Sequence, residues 1–290
     1  MVKTWLKALR VKQWTKNSLL FLGLVFSLQF THPDKVLTSL VAFGLFCLVS
    51  SGGYLINDVI DCEHDRQHPT KCNRPIACGA INRNAALAVA AVLLAVGLAG
   101  SFAVNLAFGA VALAYVAISV GYTVGLKHVV IIDVLSIAAG FVLRAVGGAA
   151  ALAVPISPWL YVCTILGALF LGIAKRRHEL VLLEDDARNH RGILEHYSPD
   201  LLDQMSTIVT ASLVMAYSLY TFTAENLPKN QAMMLTIPFV LYGIFRYLYL
   251  VHRKNAGGTP EEVLLQDVPI MLDIVLWVTA SAAILYFFRG

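Results

Sequence analysis

Apolar stretches recur along the whole chain, most of them near the ~20 residues that carry a helix across the hydrocarbon core of a bilayer. They fall at approximately 17–30, 36–57, 85–105, 107–126, 129–153, 157–174, 201–223, 231–251 and 268–288. Backbone in lipid must satisfy its own polar groups, so such runs dictate helices. The expected fold is all-α, a polytopic membrane protein with about nine transmembrane helices in a single domain covering 1–290. Composition agrees, at 58% apolar and 14% charged; a soluble domain carries about 45–50% and about 25%. The same figures exclude a disordered chain, a secreted disulfide scaffold and a nucleic-acid reader. The start of the chain is basic and amphipathic and lacks a clean small-residue cleavage site, so no cleavable signal peptide is expected.

The basic residues check the topology independently. With the amino terminus in the cytoplasm, 17 of the 22 Lys and Arg residues fall on inside segments. Lys35, Lys229 and Arg289 fall outside, while Arg144 and Arg246 lie within spans. This split predicts a cytoplasmic amino terminus and an external carboxyl terminus. Two inside connections, about 58–84 and 175–200, are long, follow even-numbered spans and open with ionisable clusters. They suggest two related halves, each presenting a charged helix end to a common cavity.

The first cluster runs Asn57-Asp58-Val59-Ile60-Asp61-Cys62-Glu63-His64-Asp65. If the second span continues as a helix, Asn57, Asp61 and Asp65 share one face, with Asp58 one turn from Asp61. Carboxylates so spaced repel one another unless a cation sits among them. Oxygen donors without imidazole or thiolate on that face suit Mg²⁺, which bridges protein carboxylates to substrate phosphates. The bland alternative is a solvated acidic loop, which explains neither the spacing nor the position at a membrane boundary. Arg66, Lys71 and Arg74 follow and can take phosphate oxygens that a metal leaves uncovered. Each also serves as an ordinary inside charge. Together the residues read as a diphosphate clamp.

Asn57-Asp58-x-x-Asp61-x-x-x-Asp65 with Arg66, Lys71 and Arg74-Pro75 resembles the first aspartate-rich motif of the UbiA-type intramembrane prenyltransferase superfamily. That resemblance implies nine helices around a central cavity opening to the cytoplasm, Mg²⁺ dependence and chemistry on a diphosphate. It narrows at Gln13-Trp14-Thr15-Lys16-Asn17, Asp65-Arg66-x-His68-Pro69-Thr70-Lys71, Gly125-Leu126-Lys127-His128 and Lys175-Arg176-x-x-Glu179-Leu180. Those stretches resemble the decaprenyl-phosphate phosphoribosyltransferase branch. Its members move phosphoribose from phosphoribosyl diphosphate onto a polyprenyl phosphate, on the way to arabinose donors for the cell wall.

The second cluster, Lys175-Arg176-Arg177-His178-Glu179, stands where aromatic prenyltransferases of the superfamily carry a second aspartate-rich motif. A Lys/Arg pair cannot ligate Mg²⁺, but it can neutralise a second anion directly. One metal-diphosphate pole and one basic pole suit two phosphorylated substrates, with Glu179 fixing the basic pair. Glu184, Asp185 and Asp186 follow as a run read as solvated surface.

Further candidates lie outside the two clusters. Tyr122 and Lys127 are expected near the donor phosphates, as the resemblance implies. Asp133 is read as orienting a cation such as Lys127, as closing the metal shell, or as a structural pair. Lys16 and Asn17 match the branch and also suit interfacial anchoring beside Trp14. Arg144 and Arg246 must find partners or snorkel, with Asp273 as a candidate partner for one of them, and both are read as structural. The cysteines Cys62, Cys72 and Cys78 contain no Cys-x-x-Cys spacing and do not support zinc. Asp267-Val268 departs from the Asp-Arg expected of the branch.

The expectation is therefore a Mg²⁺-dependent phosphoribosyltransferase in the plasma membrane, active on its cytoplasmic side. An aromatic prenyltransferase and a non-enzymatic anion permease are the alternatives.

Overall fold

The structure, a computed structural model, describes all residues except 69, 156–157, 183–191, 225–226, 255–262, 264–265 and 289–290. Positions 160, 182, 192 and 254 are described by backbone alone. The acidic run Glu184 to Asp186 lies outside the described residues, as do Arg188, Arg191 and Arg289.

The described chain is helical: α1 (Val2–Ala8), α2 (Phe21–Phe26), α3 (Pro33–Ile60), α4 (Cys62–Gln67), α5 (Arg83–Val104), α6 (Leu106–Val124), α7 (Ile132–Leu152), α8 (Pro158–Leu182), α9 (Pro199–Thr223), α10 (Ile237–Lys254) and α11 (Val268–Phe288). Helix boundaries follow the caps. Pro33 opens α3 with Asp34 in its first turn, where a missing N–H costs nothing and a negative charge meets the helix dipole. The side chains of Asn82, Asn105 and Ser198 accept from the first turns of α5, α6 and α9. Asp267 does the same for α11, accepting from Ile270 N–H at 3.1 Å.

Among the described residues, seven helices are long and apolar enough to cross a membrane: α3, α5, α6, α7, α9, α10 with its preceding turn, and α11. Two expectations remain: 17–30 does not form one helix, whereas 157–174 lies within the 25-residue helix α8. The first is broken into a tight 3₁₀ run over Val11–Leu20, the six-residue α2, and a short turn at Gln29–Thr31. No single long helix forms there. The second is α8, whose apolar portion ends at Ala174, before Lys175.

The chain divides into two units that interleave in sequence. The first comprises Met1–Leu24, His32–Val129 and Leu143–Val154; the second comprises Val25–Thr31, Val130–Val142 and Pro155–Gly290. In the first unit Leu20, Phe46, Val49, Phe108, Ala112 and Ala151 are buried together. Here Gly148 is required: a Cβ would lie 1.9 Å from the Leu20 carbonyl oxygen. A second cluster, with Ala8, Leu55, Cys62, Ile76 and Ala86, ties α1 and the 71–81 loop to the C-terminal end of α3. In the second unit Val134, Ile173, Leu194, Tyr197 and Leu202 form one cluster, and Phe170, Tyr247, Leu250 and Ile270 form another. Many large apolar side chains stay exposed, among them Leu106, Ile208 and Phe245. Hydrocarbon surroundings make such exposure inexpensive.

Candidate active site

The first cluster sits where α3 ends. The helix stops at Ile60, Asp61 forms a turn at φ −83° and ψ 1°, and α4 carries Asp65. Asp58 and Asp65 are buried, at 3% and 4% exposure. One nitrogen joins them: Arg74 Nη1 lies 3.1 Å from Asp58 Oδ1 and 2.6 Å from Asp65 Oδ2. Arg10 pairs with the same Asp58 oxygen, and its guanidinium lies 4.8 Å from the Tyr54 ring centroid. Asp61 Oδ1 accepts from Lys127 Nζ at 2.5 Å. Asn57 Oδ1 accepts from the Thr123 hydroxyl at 3.0 Å.

Burial pushes the Asp65 carboxyl above its usual range, against the pull of Arg74 and the charge of Lys71. Tyr122 is half-buried beside Thr123 on α6. Arg66 is directed elsewhere, with Nε 3.0 Å from the Ala77 carbonyl and Nη1 3.0 Å from Glu63. Glu63 also pairs with Arg83, which holds its carboxyl below the usual range.

The expected ligands Asn57, Asp61 and Asp65 are each engaged by a different partner. Among the described residues, no three Asp, Glu, His or Cys side chains are gathered as a metal group. The donor set still fits Mg²⁺: Asp58 and Asp65 already converge on one cationic nitrogen of Arg74, and with Asp61 and Asn57 they would be the groups to hold the ion. The carboxylates supply hard oxygens. Cys62, by contrast, is buried in the apolar cluster and donates to the Ile76 carbonyl.

The second cluster is built differently. Arg176 and Asp133 are both 0% exposed, with Arg176 Nε 2.6 Å from Asp133 Oδ2. Arg176 Nη1 also pairs with Glu179. Asp133 thus orients Arg176, not Lys127, and Arg176 lies out of direct reach of a phosphate in this structure. Lys175 is half-buried on the same turn of α8. Tyr197, unremarked in the sequence, donates to Asp133 Oδ1 at 2.8 Å. Its hydroxyl is pushed up to about 12, first by burial. Arg177 pairs with Asp203 at 2.5 Å, so it belongs to a neighbouring contact.

Asn17 also departs from its expected role. It is fully buried, donates to Cys47 and Ser50, and accepts from Arg144 Nε at 2.7 Å. Arg144 Nη2 donates to the Tyr115 hydroxyl at 2.8 Å and stacks over that ring. Lys16, its neighbour, is half-buried. Arg246 finds Asp267, at 3.2 and 2.9 Å, and not Asp273. The Asp267 position therefore pairs a charge within the second unit and caps α11.

The UbiA prenyltransferase family model matches residues 18–262 of the chain. This protein belongs to the UbiA prenyltransferase family. Curated relatives named decaprenyl-phosphate phosphoribosyltransferase match over nearly the whole length. One from Mycolicibacterium smegmatis is 33% identical, covering 99% of this chain and 94% of the relative. Another from Corynebacterium glutamicum is 35% identical, covering 97% and 86%. A solved UbiA homolog from Archaeoglobus fulgidus bound to GPP and Mg²⁺ superposes with a TM-score of 0.74 at 19% identity, covering 98% of this chain and 99% of that one. At that identity the likeness shows the fold. The family and the apolar helices make the chain an integral, multi-pass membrane protein.

Proposed function

We propose that this UbiA-family protein transfers 5-phosphoribose from phosphoribosyl diphosphate to a polyprenyl phosphate, releasing diphosphate. The observation that carries the reading is the contrast between the two clusters. Carboxylates paired with partly exposed cations sit at the end of α3, and a Lys-Arg-Glu turn on α8 stands in place of a second set of metal-binding carboxylates. The full-length similarity to relatives named for this activity supports it.

Asp58, Asp61, Asp65 and the Asn57 carbonyl are the groups that would hold Mg²⁺, which supplies charge neutralisation for the leaving diphosphate. Lys71, Arg74 and Lys127 take donor oxygens, with Tyr122 beside them. Lys175 meets the acceptor phosphate, and Arg176 and Glu179 hold the turn from which it projects. An acceptor oxygen attacks the anomeric carbon as the bond from that carbon to the diphosphate oxygen breaks. The electron pair of that bond leaves on diphosphate. A phosphate is already an anionic nucleophile, so no general base is needed. The positive-inside distribution supports chemistry on the cytoplasmic side, with the amino terminus there.

The test is diphosphate release from phosphoribosyl diphosphate by the purified full chain with Mg²⁺. Release is expected only when polyprenyl phosphate is added. Release from a polyprenyl diphosphate with an aromatic acceptor would establish the aromatic prenyltransferase instead. No release from either donor would leave the anion permease.

A further inference from the structure

Tyr197 follows the turn Gly192–His196 and precedes Ser198, the cap of α9. It is 5% exposed, and its hydroxyl makes two contacts. It accepts from the Ile131 N–H at 2.7 Å and donates to Asp133 Oδ1 at 2.8 Å. The other Asp133 oxygen receives Arg176 Nε at 2.6 Å, and Arg176 Nη1 continues to Glu179. Tyr197, Asp133, Arg176 and Glu179 are therefore linked in series within the second unit.

Each oxygen of Asp133 has its own partner, so the Tyr197 bond decides which oxygen faces Arg176. Arg176 and Lys175 are neighbours on α8, so the bonds that hold Arg176 bear on the turn from which Lys175 leaves. Ile131 adds a second sign of constraint. Its φ is +70°, a left-handed conformation that a β-branched residue rarely adopts. Such strain persists where the surroundings hold it, and it concentrates at functional sites.

We infer that Tyr197 is a positioning residue for the acceptor phosphate, acting through Asp133 and Arg176 on the Lys175–Glu179 turn. The inference rests on the phosphoribosyl-transfer reading, in which Lys175 meets that phosphate. Tyr197→Phe is the direct probe, because the ring keeps its packing against Val134, Leu194 and Leu202 and only the hydroxyl is lost.

The experiment titrates polyprenyl phosphate at saturating phosphoribosyl diphosphate and Mg²⁺, and then the reverse. Tyr197→Phe is expected to raise the acceptor KM about tenfold, the scale of one hydrogen bond to a charged group. The donor KM stays within about twofold of wild type on this view. A merely structural hydroxyl, needed only to hold the strained Ile131, predicts something else. Adding Ile131→Gly, which adopts positive φ freely, would then restore the acceptor KM. On the inference the double variant stays defective.

Asp133→Asn, which keeps the side-chain shape, gives the acceptor defect without touching Tyr197 and serves if Tyr197→Phe fails to fold. An unchanged acceptor KM in whichever of these two variants folds overturns the inference. So does an equal rise in both KM values, or rescue by Ile131→Gly. Lys175→Ala separates the two levels. An acceptor defect in Lys175→Ala with none in Tyr197→Phe leaves the functional reading standing and removes Tyr197 from it. No acceptor defect in Lys175→Ala removes the acceptor pole, and the inference with it.

Discussion

Both units bury charge, yet they bury it in opposite ways. At the end of α3 the carboxylates are held by cations that still touch solvent: Arg10 is 22% exposed and Arg74 25%. On α8 the pair Arg176 and Asp133 has no exposure at all. The interaction of two charges grows several-fold as the surroundings change from water to protein interior. Contacts of the first kind exchange readily when a better cation or anion arrives. Contacts of the second kind are framework, costly to assemble and costlier to leave half-made. The cluster at the end of α3 thus has the more replaceable contacts, and the Arg176–Asp133 pair the more fixed ones.

The comparison breaks first at the carboxylates. Asp65→Asn or Asp61→Asn is expected to lower turnover by at least about a hundredfold, as the loss of several kcal/mol of metal-assisted stabilisation implies. Both variants should keep the thermal unfolding profile of the parent. Diphosphate release measured against Mg²⁺ concentration checks this. Activity within about twofold of wild type in both would remove the acidic cluster from the chemistry.

Next comes the buried pair. Arg176→Ala leaves Asp133 and Glu179 without their cation and is expected to cost about 3–5 kcal/mol of stability. Arg74→Ala should cost less, because Arg10 still pairs with Asp58 and Asp65, whose pKa burial already raises, can take a proton once Arg74 is gone. Thermal unfolding of the two variants in the same detergent measures the difference. Equal losses would mean that the two units do not differ in the way described.

The acid limb of activity sharpens the same point. On the proposed function Asp65 would bind Mg²⁺ only as the carboxylate, and its pKa is raised in the folded protein by burial. The folded state therefore holds this proton more tightly than the unfolded chain does. Stability contributed at this group falls as pH rises from the ordinary aspartate value through the raised one. Cation binding runs the other way and is lost as pH falls through the raised value. Arg74 lowers that pKa, so Arg74→Ala should move the acid limb to higher pH at subsaturating Mg²⁺. A pH profile of diphosphate release reads the direction, and a shift to lower pH would contradict it.

Much of this architecture was legible in the sequence, and the reasons are physical. Long apolar runs leave the backbone one solution, and Pro33, Asn82, Asn105 and Ser198 mark helix starts by chemistry that acts over three residues. The acidic cluster was legible for the same reason, since its members lie within nine positions of one another. What the sequence hides is pairing across long separations. Asp133 suggested Lys127, six residues away, and instead takes Arg176 and Tyr197. Asn17 matched a motif and instead anchors Arg144 in the interior of the first unit. Arg10 looked like one more inside charge, and only folding brings it to Asp58. The broken first span was hidden too, because composition alone does not distinguish a 3₁₀ run from an α-helix.

The smallest expected effect separates two arginines of one loop. Arg66 and Arg74 lie eight residues apart, and both read as phosphate ligands from their place after the carboxylates. In the structure Arg74 bridges two buried aspartates, whereas Arg66 is 48% exposed and bound to Glu63 and the Ala77 carbonyl. An exposed pair of this kind contributes little, because solvent screens it and the side chains lose freedom in making it. Arg66→Ala should therefore leave turnover and the donor KM within about twofold of wild type. Arg74→Ala should raise the donor KM well beyond that, since its guanidinium is the one positioned to turn from the aspartates to the diphosphate. Titrating phosphoribosyl diphosphate against both variants decides it. A donor defect in Arg66→Ala as large as that in Arg74→Ala would mean that Arg66 leaves Glu63 during turnover and joins the clamp.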